Sequence, residues 1–264
     1  MSSSSSDSSF GLSLPWLASL PGAGRRVDLP LLAGSADALA VVRAAQMACG
    51  RLLLVIAASP LDAQRLHEEA QWFAPALRIH LLPDWETLPY DSFSPHQDLV
   101  SERLATLYAV SQGACDILIT AASTALTRLA PPSFLAAHTF FLKKGERLAL
   151  DKLRAQLTLA GYQSMTQVVA PGEFSVRGGL IDLFPMGTAL PYRIDLFDEE
   201  VESIRTFDVD TQRTLYPVPE IRMLPAREFP IDDAPGGGRS RFRARFREVF
   251  EGDASRTPIY KDVS

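Results

Sequence analysis

The chain has 264 residues, 47% hydrophobic and 22% charged, with a formal net charge of -5 and an isoelectric point near 5.4. That length supports one large core or two modest ones. The acidic balance excludes a global electrostatic pull toward nucleic acid, and no apolar run is long enough to span a membrane.

Cys49 and Cys115 lie in separate apolar segments without a CxxC spacing or neighbouring histidines. That pattern argues against a zinc site and for buried free thiols in a reducing, cytoplasmic setting. His67, His80, His96 and His138 show no metal-ligand spacing either.

Residues 1–24, MSSSSSDSSFGLSLPWLASLPGAG, carry no basic residue before Arg25, and proline breaks their apolar stretch. They read as a disordered serine-rich leader rather than a secretory signal. From residue 25 the chain opens with a strand and a Gly-containing turn. It then alternates helix and strand: a helix over 35–50 capped by Ser35 and stopped by Gly50, and a buried strand in RLLLVIAAS. A Ser-Pro-initiated helix, a strand in RIHLLP, a helix ending at Gly113 and a strand in CDILITAAS follow. The last helix, STALTRLAPP, is stopped by Pro131 and Pro132. Such alternation predicts an α/β unit with a parallel sheet.

After residue 137 the texture changes. A strand and a helix ending at Gly161 lead into alternating segments with turns at PGEF, FPMGTALP and FDEE, the pattern of a small α+β domain on an antiparallel sheet. RMLPAREFP, within about 221–230, reads as a return strand to the parallel domain. The linker DDAPGGG and an arginine-rich helix follow, with Phe242, Phe246 and Phe250 on one helical face. That helix reads as docking on something apolar, with a nucleic-acid arm as the alternative.

A working phosphate loop needs GxxxxGK[ST], so that amides cradle phosphates and a lysine meets the β- and γ-phosphates. Gly34 in LLAGSADALAVV has no second glycine or lysine at that spacing, and no lysine occurs before Lys143. The expected fold is therefore α/β with a degenerate P-loop NTPase-like domain and an inserted small α+β domain. Asp84, Glu86, Asp91, His96 and Asp98 include a carboxylate–histidine pair fit for acid–base work. Their other reading is a proline-fixed loop whose side chains satisfy exposed backbone.

DWETLPYDSFSPHQDLVSERLATL, GEFSVRGGLIDLFP and YRIDLFDEEVESIRTFDVDTQRT are long, specific motifs. From about residue 25 onward the chain resembles the N-terminal region of the bacterial transcription-repair coupling factors. The resemblance implies domain 1A over 25–137, domain 2 over 138–220, and a linker with the start of domain 1B over 231–264, all homologous to part of the repair protein UvrB. It implies a non-catalytic module that docks the damage-recognition ATPase UvrA through domain 2, with no cofactor of its own. The parent would be an ATP- and Mg-dependent DNA translocase, a hydrolase, meeting RNA polymerase and double-stranded DNA through regions absent here. The UvrB pattern carries an aromatic hairpin that grips damaged DNA; between Asp98 and Ser101 this sequence leaves no room for it. DNA binding is accordingly expected to be weak and indifferent to lesions.

The resemblance assigns UvrA binding to Arg177, Arg193 and Phe197. The residues themselves leave two readings open. Arg193, Asp195 and Phe197 alternate onto one strand face, the composition of an interface hot spot, and Gly178 and Gly179 leave the backbone beside Arg177 uncovered. Alternatively, Arg177 pairs across the sheet with Asp182 or Asp195, and Phe197 is core. On the first reading, replacing either arginine leaves stability almost unchanged.

Overall fold

The computed structural model describes residues 21–48, 50–87, 93–229 and 237–250. Most of the expected leader and linker, Cys49, Asp91 and the chain after Phe250 lie outside the described residues. Two compact units form: one from residues up to Glu86 with Thr106–Thr127, the other from Thr87–Ala105 and Arg128 onward.

The first unit runs α1 (Ala36–Met47), β1 (Leu53–Ala57), α2 (Pro60–Phe73), β2 (Ile79–Leu82), the end of α3 (Gln97–Ser111), β3 (Ile117–Ala121) and α4 (Ala122–Ala125). Its three strands are parallel in the order β1-β3-β2. Leu53, Val55 and Ala57 of β1, Ile79 and Leu81 of β2, and Ile117 and Ile119 of β3 share one face. They pack against Ala38, Val42 and Ala45 of α1 and Ala63, Leu66 and Ala70 of α2. Small residues on the helices let them approach the sheet closely. Ser59 caps α2 by accepting from the Asp62 amide at 3.1 Å, and Pro60 takes the first helical position, where its missing N–H costs nothing.

Three sequence expectations fail here. Residues 25–33 form no strand, because Pro30 lacks a donor and no described neighbour pairs with the stretch. Ser35 sits at the N-cap of α1 without making a side-chain cap. β1 is covered on one face only: it lies at the sheet edge and leaves Leu54 and Ile56 exposed. The prolines also act differently from the expectation. Pro132 starts α5 (Pro132–His138) instead of ending a helix.

The second unit continues with β4 (Phe140–Lys143), α6 (Leu150–Leu159), β5 (Gln163–Ser164), β6 (Glu173–Arg177), β7 (Leu180–Leu183), β8 (Tyr192–Phe197), β9 (Glu200–Phe207), β10 (Thr214–Pro217), β11 (Glu220–Met223) and α7 (Gly238–Phe250). Six strands form a sheet ordered β10-β9-β8-β7-β6-β5, antiparallel except between β5 and β6. The segment expected to return to the parallel sheet instead pairs antiparallel with β4 through β11. The α6 helix ends as its sequence predicts. Gly161 takes φ +96°, and the Tyr162 and Gly161 amides donate to the carbonyls of Leu157 and Thr158, closing the last turn.

Sheet register sorts the side chains. Val176, Ile181, Ile194 and Ile204 face one another across four strands on the apolar side. Tyr162 is buried with its hydroxyl satisfied, donating to the Leu224 carbonyl at 2.6 Å and accepting from the Met186 amide. Midway along α3, the Arg103 guanidinium (0% exposed) meets the Glu228 carboxylate (4% exposed) at 2.8 Å.

Candidate protein-docking face

The other side of the same sheet is polar. Ser175, Asp182, Arg193 and Arg205 stand opposite one another across β6, β7, β8 and β9, and the next row is Arg177, Leu180, Asp195 and Ser203. Asp182, 1% exposed, is the hub. It accepts from Arg193 Nε at 2.7 Å and Nη2 at 3.0 Å, and from Arg177 Nη2 at 2.6 Å. Asp195 pairs with Arg205 and accepts from the Ser203 hydroxyl at 2.6 Å. Burial pushes its carboxyl upward, but the Ser203 and Arg205 contacts outweigh burial and hold it below the usual carboxylate range.

The two predicted arginines differ in what they still present. The Arg193 side chain is 16% exposed. Besides Asp182, it donates to the Gln212 carbonyl at 3.1 Å and lies over the Phe207 ring, 4.7 Å from its centroid. Arg177 has one such contact and remains 56% exposed. Phe197 is 75% exposed, so the core reading fails for it. The cross-sheet reading holds for Arg177, on Asp182, and Arg193 pairs with the same carboxylate.

The glycines are explained by the fold. Gly178 and Gly179 form a two-residue hairpin between Arg177 and Leu180, with Gly178 at φ +61°, as a primed turn requires. A Cβ on Gly179 would stand 2.9 Å from the Leu196 carbonyl oxygen. The Leu196 amide donates to Gly179 O at 2.8 Å, so the β6–β7 and β8–β9 hairpin tips lie side by side. Arg177 and Phe197 thus end their strands at the same end of the sheet. Gly179→Ala is expected to destabilise the chain by about 1–3 kcal/mol, because a backbone oxygen cannot move aside cheaply. A thermal melt checks this, and an unchanged midpoint would show that the hairpins are not held together there.

Beside these tips an open cleft of about 600 Å³ is lined by Lys144, Leu180, Asp195, Glu202, Ser203 and Arg205. The sequence offers Asp182 as a partner of Arg177, since the Gly-Gly turn fixes Arg177 opposite Leu180 and puts Asp182 on the same face two residues on, but its contact with Arg193 was not foreseen.

The other candidates divide into two groups, and one of them keeps its carboxylate–histidine pair: His96 Nδ1 stands 3.2 Å from Asp98 Oδ2, both side chains exposed. Asp84 and Glu86 belong to the first unit, His96 and Asp98 to the second. Asp84 accepts from Ser123 at 2.8 Å and Thr124 at 2.9 Å. Burial pushes its carboxyl up, but those hydroxyls and nearby amides hold it below the usual range. It borders a cleft of about 360 Å³ with Pro60, Leu81, Leu82, Glu86 and Ala121, at the carboxyl ends of the parallel strands. Asp98 and Ser101, where a lesion-gripping hairpin would be inserted, lie within the continuous helix α3. Cys115 is buried, and burial pushes its thiol up to about 11. Among the described residues no helix is long and apolar enough to cross a membrane.

A family model described as the UvrB interaction domain matches residues 140–229, from β4 to just beyond β11. A transcription-repair-coupling factor of Escherichia coli is 47% identical over 242 residues, which is 92% of this chain and 21% of that protein. Its counterpart in Haemophilus influenzae is 52% identical over 188 residues, covering 70% of this chain and 16% of the relative. One from Staphylococcus aureus is 33% identical over 181 residues. The chain therefore spans about a fifth or less of the length of these relatives, and it belongs to the transcription-repair coupling factor family, matching the N-terminal region.

Proposed function

We propose that this chain is a recruitment module of transcription-coupled repair: a non-catalytic, cytoplasmic piece of a coupling factor that captures UvrA on the polar face of the second unit. The observation that carries the reading is the end of that face, where an arginine held at one guanidinium nitrogen and an exposed phenylalanine stand on adjacent hairpin tips. A planar cation and an aromatic anchor on a rigid sheet are the composition of an interface hot spot. Arg193 acts beneath them, holding Asp182 and so the position of Arg177. Co-purification tests the reading: tagged chain mixed with UvrA should retain it, and failure to retain it at near-physiological salt would overturn the proposal.

In the same proposal the first unit is a phosphate-loop fold without its chemistry. Gly34 precedes α1 with φ +57°, but α1 offers no lysine. The cleft at the strand ends presents Asp84 and Glu86, whose charge repels phosphate. Neither ATP nor Mg is needed by this chain; both belong to the motor of a longer parent, as do RNA polymerase and duplex DNA engagement by that motor. Titration calorimetry with Mg-ATP is expected to show no saturable heat. Micromolar affinity would instead make the first unit a nucleotide-binding domain.

A further inference from the structure

In α7, Arg239, Arg241, Arg243, Arg245 and Arg247 occupy every second position and are exposed, in a chain whose formal charge is -5. Eight residue steps place five positive charges within roughly 12 Å of helix axis. Alternate helical residues are roughly 200° apart, so the arginines project on two opposite sides. By itself this pattern is unfavourable. The i,i+4 pairs Arg239–Arg243, Arg241–Arg245 and Arg243–Arg247 are all of like charge, the first turn holds no acidic residue to meet the helix dipole, and Glu248 near the far end is the single carboxylate of the helix.

A ligand with negative charge continuous along the axis and present on both sides reverses each of those terms. Duplex DNA offers one phosphate charge per about 1.7 Å, and its major groove, about 12 Å wide, admits a helix between two phosphate rows. An acidic protein surface offers scattered carboxylates, which meet one side of such a helix. We propose that α7 is a sequence-independent contact for the phosphate backbone of duplex nucleic acid, separate from the docking face. The contact is weak, because the rest of the chain is acidic, and blind to lesions, because phosphates carry no information about the base.

The test is fluorescence anisotropy of the full 264-residue chain with a labelled duplex of about 20 base pairs over a range of salt. Expected at low salt is a dissociation constant of about 10⁻⁴–10⁻⁶ M, equal for intact and lesion-bearing duplex, with log K falling by about 0.9 per phosphate contact for each decade of salt. Arg241→Ala with Arg243→Ala should flatten that slope by about 2, while Arg241→Lys with Arg243→Lys should keep it. Circular dichroism should show the alanine variant folded, since both side chains are exposed. No binding at low salt, a slope unchanged in the alanine variant, a lesion preference, or polyglutamate competing as well as duplex would each overturn the proposal.

Discussion

Arg103→Ala is expected to lower the stability of the second unit by about 3–5 kcal/mol, a larger effect than any surface substitution in the chain. Arg103 and Glu228 are 125 positions apart and almost wholly buried, with Nε and Nη2 donating to the carboxylate at 3.0 and 2.8 Å. Removing the cation leaves the carboxylate in a low-dielectric setting without this counter-charge, and desolvation already paid on folding is no longer offset. At roughly 2–4 °C per kcal/mol for a chain of this size, the melt should fall by about 6–20 °C. Arg103→Met with Glu228→Leu should recover much of the loss, because a packed apolar pair carries no desolvation cost. A single variant melting within about 2 °C of the parent would mean the pair is neutral.

Arg193→Ala should cost both stability and binding, by about 2–3 kcal/mol in the melt. Asp182 would lose its two-pronged donor, the Gln212 carbonyl would lose its bond, and the Phe207 ring its cationic cover. The loss stays below that for Arg103 because Arg177 still reaches Asp182 and the Arg193 side chain is not fully enclosed. Arg193→Lys should recover only part of the loss, since an ammonium cannot match the planar fork. Equal melts for Arg193→Ala and the parent would remove Arg193 from the positioning role.

The alternation of helix and strand was legible because helix stops and strand lengths are local signals: Gly113 and Gly161 end α3 and α6 through their own backbone conformations. Partner choice between strands was not local. Nothing within residues 220–223 distinguishes pairing with β4 from return to the parallel sheet, and an apolar run like β1 does not reveal that one of its faces is bare. The candidate site shows the same divide. Alternation along β8 correctly put Arg193 and Asp195 on one face, but the carboxylate that holds Arg193 comes from β7, through a register set by two glycines. For that reason the expectation that neither arginine matters for stability is kept for Arg177 and gives way, for Arg193, to the loss predicted above. The exposure of Phe197 at a hairpin corner, beside Asp198 at φ +59°, was likewise outside the reach of strand periodicity.

Capture of UvrA by the end of the polar face is checked by titrating UvrA against the chain and its Arg177→Ala and Phe197→Ala variants, with a melt recorded for each. Both side chains are mostly exposed, so both melts should stay within about 0.5 kcal/mol of the parent. Each variant should lose at least about 2 kcal/mol of binding, roughly thirtyfold in affinity. Full affinity in both variants, with melts unchanged, would place the UvrA contact elsewhere.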